Sequence, residues 1–365
     1  MWLIAIDEAG YGPKLGPLVV AASAWRCSQE GERADSSRCE TSVDQMTPDP
    51  FRVLGEPVRV GRTTVRVDDS KQVFRGGILA PLHAAVSVAH HACGHNEVSL
   101  AERLPTLLPM DYQNLCEVAW LKDIGGRQGE PIEFAATSDT ADAREQWSRC
   151  QWRLVDVAAR VVDAATFNRF CNGDAEHSPR GNKSDLLGET SLRLASLLID
   201  QVTASSQTAD RQTVDAENDE PVELYFDRHG GRRYYTGVIQ SVFGTEPVRV
   251  IHESKTQSVY ATEYQGRSLR LHFTVKGDRF IPVALSSLHA KYLRELAMAS
   301  FNAFFRAEVE RTNADRKSAS SGQESSASEF RPTAGYPVDA DRFIETIRPT
   351  MQRLGIEDQQ LIRSR

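Results

Sequence analysis

The chain has 365 residues, a hydrophobic content of 40% and a formal net charge of −7 at pH 7, enough apolar material for one large domain or two ordinary ones. No stretch approaches the roughly 18 apolar residues of a membrane span, and the opening "MWLIAI" lacks the basic start and long apolar middle of a secretory signal. These features exclude a membrane span and favour a cytoplasmic protein.

The first part of the chain predicts strands before helices. Two apolar runs read as buried strands, and a third segment with period-two patterning follows them: "WLIAID", "GPLVVAASAW" and "RTTVRVDD". Farther along, "RLVDVAARVVDAATFNRF" predicts a strand that enters a turn, and "KSDLLGETSLRLASLLIDQVTA" has the apolar spacing of a helix. The span from about 97 to 150 shows no clear period.

The second part alternates strands with helices. Three short runs are typical of strands, "VELYFD", "PVRVIHES" and "LRLHFTVK", and two longer ones of amphipathic helices, "PVALSSLHAKYLRELAMASFNAFFRAEVER" and "DADRFIETIRPTMQRLG". Strands in meander order followed by strands that alternate with helices predict an α/β protein, with a mixed sheet flanked by helices and a C-terminal helical part.

Three polar segments, at 28–50, 205–220 and 312–330, interrupt this pattern and predict disordered insertions in a single domain over residues 1–365. The first two each carry a net charge of −4, so the rest of the chain has a net charge of +1. A nearly neutral body with local basic clusters can bind phosphates, although the total charge alone argues against a nucleic-acid partner.

Metal sites of the zinc type are not indicated. The six cysteines are scattered without a C-x-x-C pair. His91 and His95 stand at i, i+4, but the glutamate of an H-E-x-x-H motif is absent, so a solvated helix end is favoured over a metal site.

Four carboxylates lie where strands end or on an apolar-faced helix: Asp7, Glu8, Asp227 and Glu295. Asp7 and Glu8 are adjacent and repel each other when both are ionised, so a nearby cation is expected to compensate. Several carboxylate oxygens that converge are the ligands Mg²⁺ requires. Two ions about 4 Å apart activate water and stabilise the leaving oxygen in phosphodiester cleavage. Singly, each acid is as well explained by a turn or a surface ion pair.

The segment "DEAGYGPKLGPLVVAA" resembles the opening motif of type 2 ribonucleases H, the ribonuclease HII/HIII family. Four further segments resemble that family in the same order along the chain: "DDSK", "FDRHGG", "KGDRFIPVALSSLHAKYLRELAM" and "AGYPVDADRF". The resemblance covers most of the chain outside the insertions and implies a ribonuclease H-like fold.

The resemblance also implies an activity. It predicts an endonuclease that hydrolyses the RNA strand of RNA–DNA hybrids, or cuts at ribonucleotides embedded in duplex DNA during replication and repair, and leaves 5′-phosphate and 3′-hydroxyl ends. The catalytic and metal-binding residues would be Asp7, Glu8, Asp227 and Glu295, around two Mg²⁺ or Mn²⁺ ions. The protein is expected to act as a monomer.

Six residues match substrate-binding positions of the family: Gly10, Tyr11, Gly12, Lys71, Lys291 and Tyr336. The glycine loop would approach the ribose 2′-hydroxyl, which distinguishes RNA from DNA, because a Cβ atom there would block close approach. Tyr336 would pack on the sugar at an RNA–DNA junction, and the two lysines would lie near phosphates. Tyr11 stands where the family has arginine, a change that Arg228, Arg232 or Arg233 can offset.

Two other functions fit the same residues. One is a hybrid-binding protein of the same fold that cleaves poorly, and the other is a related two-metal DNA nuclease acting on branched DNA. Retention of all four acids favours the enzyme over the first, and the glycine loop with Tyr336 favours it over the second.

Overall fold

A computed structural model of the protein describes residues 1–27, 49–127, 129–173, 181–209, 220–244, 246–319 and 330–364, of which 205–209 and 315–319 are described as backbone only. Most of each predicted insertion, namely 28–48, 210–219 and 320–329, lies outside these residues. The described parts of the second and third insertions, 205–209 and 312–319, are the ends of two helices rather than loops. None of the helices in the described ranges is both long and apolar enough to cross a membrane.

The strands are β1 Trp2–Ala9, β2 Leu18–Cys27, β3 Val58–Val60, β4 Thr63–Val65, β5 Gly126–Arg127, β6 Glu130–Pro131, β7 Trp152–Val162, β8 Val222–Asp227, β9 Arg249–Glu253, β10 Gln257–Tyr264 and β11 Arg267–Thr274. The helices are α1 Ser70–Val73, α2 Ala80–Ala92, α3 Leu100–Leu107, α4 Tyr112–Glu117, α5 Ala141–Ser148, α6 Ala164–Asn172, α7 Lys183–Ala209, α8 Thr236–Phe243, α9 Ile281–Ala319, α10 Pro337–Leu354 and α11 Asp358–Leu361.

A seven-stranded mixed sheet forms the centre of the fold, in the order β7-β2-β1-β8-β11-β10-β9. Strands β7, β2 and β1 pair antiparallel in that order, β8 pairs parallel with β1, and β11 pairs parallel with β8. The predicted mixed sheet flanked by helices is therefore confirmed. Strand β10, which the sequence did not predict, pairs with β11 and carries β9 at the sheet edge.

Apolar side chains of β1 are buried on both faces of the sheet. Leu3 and Ala5 pack in the core that includes residues of α2 and α9, whereas Ile4 and Ile6 pack in the core that includes residues of α7 and α8. This two-sided burial explains why β1 is a continuous apolar run rather than an alternating one. A third core joins α9, α10 and α11 and is the predicted C-terminal helical part.

Two parts of the chain were predicted incorrectly or not at all. The segment after β7 is helix α6 rather than a turn, because Asp163 accepts a hydrogen bond from the Thr166 N–H and caps the first turn. The span from 97 to 150 contains α3, α4, a short β5-β6 hairpin and α5. Its buried residues, such as Leu104, Leu115 and Trp147, belong to the same core as α2 and α9.

Candidate functional site

Asp7 and Asp227 lie at the carboxyl ends of two adjacent parallel strands. The register of β1 and β8 pairs Trp2 with Val222 and ends at Ile6 opposite Phe226, so the next residue on each strand is an aspartate. Neighbouring strands are about 4.8 Å apart, and residues at equivalent positions of a parallel pair point to the same face. The sheet thus brings these two predicted site residues together.

The carboxylates at the two strand ends influence one another electrostatically, although no three of them place an oxygen each within 4.8 Å of one another. Burial, and next the charge of Asp227, raise the pKa of Asp7 from 3.8 to about 7. Burial and the charges of Asp7 and Asp227 raise the pKa of Glu8 well above its usual value. Burial also raises the pKa of Asp227, partly offset by hydrogen bonds from the backbone of Gly277 and Arg228. Three predicted acids therefore form one repelling group.

A fourth acid, Asp278, joins this group and was not among the predicted ligands. Strand β11 ends with Thr274 opposite Asp227, and the turn after it returns to the strand end, where the Gly277 N–H donates to Asp227 Oδ1 at 2.8 Å. The charge of Asp278 contributes to raising the pKa of both Asp7 and Asp227. Asp278 lies in "KGDRF", within a segment that resembles type 2 ribonucleases H, so the sequence contained a pattern that could have identified it.

Glu295, the predicted fourth ligand, lies apart from the other acids. Its carboxylate pairs with Lys291 at 2.5 Å and with Arg294 at 3.5 Å. Ser287, which hydrogen-bonds Asp7, precedes it by eight residues on the same helix, a distance of about 12 Å at 1.5 Å per residue. The structure does not bring Glu295 to Asp7 and Asp227 and places Lys291 in an ion pair with it.

Helix α9 and the segment "DDSK" line one side of the acidic group. Ser287 Oγ lies 3.0 Å from Ser70 Oγ, and a hydrogen bond from Ser287 lowers the pKa of Asp7, against the larger effect of burial. Lys71 follows Ser70 and is exposed; its charge acts to lower the pKa of Asp227. Of the two lysines predicted to lie near phosphates, Lys71 is therefore the one beside the carboxylates.

The loop that contains Gly10, Tyr11 and Gly12 follows β1 directly. Gly10 has a φ of +87°, and a Cβ atom there would come within 2.6 Å of both Arg294 Nε and the Pro17 carbonyl oxygen, so the fold itself requires glycine. Gly12 has no such neighbour within 4 Å. Nothing inside the described residues requires glycine at position 12, which is consistent with a position facing a ligand.

Tyr336 is close to the same loop. It is 56% exposed and precedes α10 as its N-terminal cap residue. The preceding residue, Gly335, accepts backbone hydrogen bonds from Lys14 and Leu15 at 2.7 and 3.1 Å. An exposed aromatic ring beside a glycine loop is able to pack against a sugar or a base.

The cation beside Tyr11 comes from a residue that the sequence analysis missed. Lys183, the first residue of α7, has its Nζ 5.1 Å from the centre of the Tyr11 ring. Arg228 donates instead to the backbone carbonyls of Lys255 and Ser254 and to Ser258.

The two other arginines considered for this role differ from each other. Arg232 forms an ion pair with Asp185 at 2.8 Å, and Arg233 is exposed. The best-placed substitute for the family arginine is therefore Lys183.

A second group of possible ligands lies where the end of α2 meets β7, two strands away from β1. The ligand atoms of Cys93, His95 and Asp156 are within 4.8 Å of one another. The buried Arg103 already occupies the cation position, with its Nη2 2.8 Å from both Asp156 Oδ1 and His95 Nε2. Burial also raises the pKa of the Cys93 thiol, which disfavours the thiolate that a metal requires. The arrangement fits an ion-pair network better than a metal site.

Comparison with known proteins adds a similarity of overall fold. No protein-family model matches the chain, and no curated protein is similar to it. The chain is similar to a solved ribonuclease H2 from Pyrococcus horikoshii OT3, with 14% identity, 99% of this chain and 92% of that chain covered, and a TM-score of 0.36. It is also similar to a structure of the PCNA:RNase HII complex from Archaeoglobus fulgidus, with 14% identity, coverage of 100% and 95%, and a TM-score of 0.35. Both TM-scores are below 0.5, so the site is defined by the geometry of this chain alone.

The donor set at the strand ends fits divalent metal ions. Asp7, Glu8, Asp227 and Asp278 offer only oxygen ligands, the type that Mg²⁺ and Mn²⁺ prefer. Burial, and next the charges of neighbouring carboxylates, raise the pKa of the first three, and a bound cation would compensate the repulsion. The residues present are therefore chemically suited to the predicted cofactor.

Proposed function

We propose that the protein is a metal-dependent endonuclease of the ribonuclease H type 2 class. Its substrates would be RNA–DNA hybrids or duplex DNA with embedded ribonucleotides, and its products would carry 5′-phosphate and 3′-hydroxyl ends. The observation that supports this most is the alignment of Asp7 and Asp227 at the ends of adjacent parallel strands, with Glu8 and Asp278 beside them. Clustered, buried carboxylates with raised pKa values are typical of functional sites.

The acids and Lys71 would have different roles in the reaction. Asp7, Glu8, Asp227 and Asp278 would hold one or two Mg²⁺ or Mn²⁺ ions, which when bound polarise the phosphate and lower the pKa of water. Asp278 replaces Glu295 in this set because its charge acts on Asp7 and Asp227. Lys71 would contact a phosphate oxygen and limit the repulsion between the substrate and the acids.

The glycine loop and Tyr336 would supply recognition of the substrate. Gly12 leaves the main chain open to a ribose 2′-hydroxyl, while Gly10 allows the loop to pack against Arg294. The exposed ring of Tyr336 would pack on the neighbouring sugar. Lys183 would contact a backbone phosphate next to Tyr11, which contributes affinity without reading the sequence. Glu295 and Lys291 would stabilise the position of Arg294 beside Gly10.

Three labelled substrates test this proposal: an RNA–DNA hybrid, a DNA duplex with one ribonucleotide, and an all-DNA junction, each incubated with Mg²⁺ or Mn²⁺. We expect cleavage of one or both ribonucleotide-containing substrates and loss of cleavage in Asp227→Asn. Asp123→Asn, the same substitution at an exposed position, is the control and should cleave like wild type. Cleavage of the junction alone would point to a DNA nuclease. Tight hybrid binding without cleavage in either metal would point to a binding protein.

A further inference from the structure

The loop of residues 10–15 is held by two segments that are distant in sequence. Gly335 accepts hydrogen bonds from the Lys14 and Leu15 backbones. On the other side Ile362 forms a β-bridge with Leu15, and the Arg363 N–H donates to the Lys14 carbonyl at 3.0 Å. The main chain of this loop is therefore fixed by tertiary contacts.

The side chain of Arg363 makes the most direct of these contacts. It is 3% exposed, donates through Nε to the Pro13 carbonyl at 3.0 Å, and uses Nη2 for the Pro13 and Tyr11 carbonyls. Its guanidinium also lies 4.8 Å from the centre of the Phe167 ring. The remaining nitrogen, Nη1, is buried without a hydrogen-bond partner among the described residues.

Burying the Arg363 guanidinium costs free energy. Burial, and next the positive charge of Arg294, lower its pKa to about 10. A buried cation beside another cation is destabilising, and an apolar residue of similar size generally packs there at lower free energy. What the guanidinium adds is a planar fork of N–H donors that satisfies two carbonyls of the loop at once, which lysine cannot reproduce.

Arg294 packs against the same loop at Gly10. It is 3% exposed, its Nη2 donates to the Ala334 carbonyl at 2.9 Å, and its Nε lies against Gly10. Like Arg363, it keeps one buried N–H, that of Nε, without a partner inside the described ranges. Two buried guanidinium groups thus contact residues 10–13, directly after the acids of β1.

We propose that Arg363, together with Arg294, is a positioning residue that holds the main chain of residues 10–13 in the conformation that receives the nucleic-acid backbone. This inference rests on the proposed function and adds a residue that no motif of the sequence indicates. Arg363 is too buried to touch substrate, so it acts through the carbonyls of Tyr11 and Pro13. Its loss should weaken substrate binding more than the chemical step.

The test compares Arg363→Ala and Arg363→Lys with Arg348→Ala, which removes an exposed ion pair with Asp358 in the same part of the fold. We expect KM on the preferred substrate to rise roughly tenfold in both Arg363 variants, with kcat within about twofold of wild type. Added guanidinium ion should lower the raised KM of Arg363→Ala part of the way toward the wild-type value. Arg348→Ala should match wild type, since exposed ion pairs contribute little.

Hydrogen exchange of the free protein in EDTA gives a second readout that needs no activity. We expect the amides of residues 10–12, 14 and 15 to exchange roughly tenfold faster in the Arg363 variants, and amides of β1 and β8 to be unchanged. Unchanged exchange in the loop, or faster exchange throughout the sheet, would overturn the positioning role, as would a KM equal to wild type. A wild type that neither binds nor cleaves any of the three substrates would refute the proposed function instead.

Discussion

Replacing Asp7 with asparagine should abolish catalysis and at the same time stabilise the metal-free fold. The pKa of Asp7 rises from 3.8 to about 7 through burial and the charge of Asp227. At about 1.4 kcal/mol for each pH unit, keeping this carboxylate ionised in the folded protein at pH 8 costs at most about 4 kcal/mol. Asparagine has a similar shape and carries no charge, so the variant avoids this cost.

The sign of the pH dependence follows from the direction of the pKa change. Because the folded protein binds the Asp7 proton more tightly than the unfolded chain, the contribution of Asp7 to the free energy of unfolding falls as pH rises from about 4 to about 7. Above that range the contribution stays low. The asparagine variant lacks this decline, so its advantage over wild type should be largest at pH 8 and vanish near pH 4.

Thermal unfolding in EDTA at pH 4.5 and pH 8, with and without Mg²⁺, measures these effects. We expect Asp7→Asn to unfold several degrees above wild type at pH 8 in EDTA, and Mg²⁺ to stabilise wild type much more than the variant. Turnover of the variant should fall by orders of magnitude. Asp123→Asn, at an exposed position, should follow wild type throughout. An Asp7→Asn protein less stable than wild type at pH 8 in EDTA would refute the reasoning.

Three other predictions concern the site and its surroundings. Asp278→Asn should lower turnover by orders of magnitude, whereas Glu295→Gln should leave turnover within about tenfold of wild type; kinetics with saturating Mn²⁺ compare them, and equal losses would return Glu295 to the site. Gly10→Ala should destabilise the fold by more than about 1 kcal/mol, because its Cβ would meet Arg294 and the residue has a positive φ; a denaturation midpoint equal to wild type would contradict this. Lys276 has a φ of 59° and lies in the turn that carries Asp278, so Lys276→Gly should raise the free energy of unfolding by up to about 1 kcal/mol; a denaturation midpoint equal to wild type would contradict this.

The sequence by itself predicted most strands of the central sheet, the main helices of its second half and three acids that the structure brings to one edge of that sheet. A continuous apolar run identifies β1, and a run interrupted only by Glu223 identifies β8. Both faces of these central strands are buried, and each run stops at an aspartate. The sequence also predicted that glycine matters at position 10. The reason that the fold supplies, the contact with Arg294, was not contained in the sequence.

Only the tertiary structure decided which acids meet and what holds the loop. Asp278 and Glu295 belong to the same motif-like segment, and no pattern ranks one above the other. A tight turn after β11 returns Asp278 to the end of β8, whereas Glu295 lies farther along α9 and pairs with Lys291 on the same helix. Arg363 lies 350 residues from the carbonyl of Pro13 that it binds, and a contact of that separation depends on the packing of the whole chain.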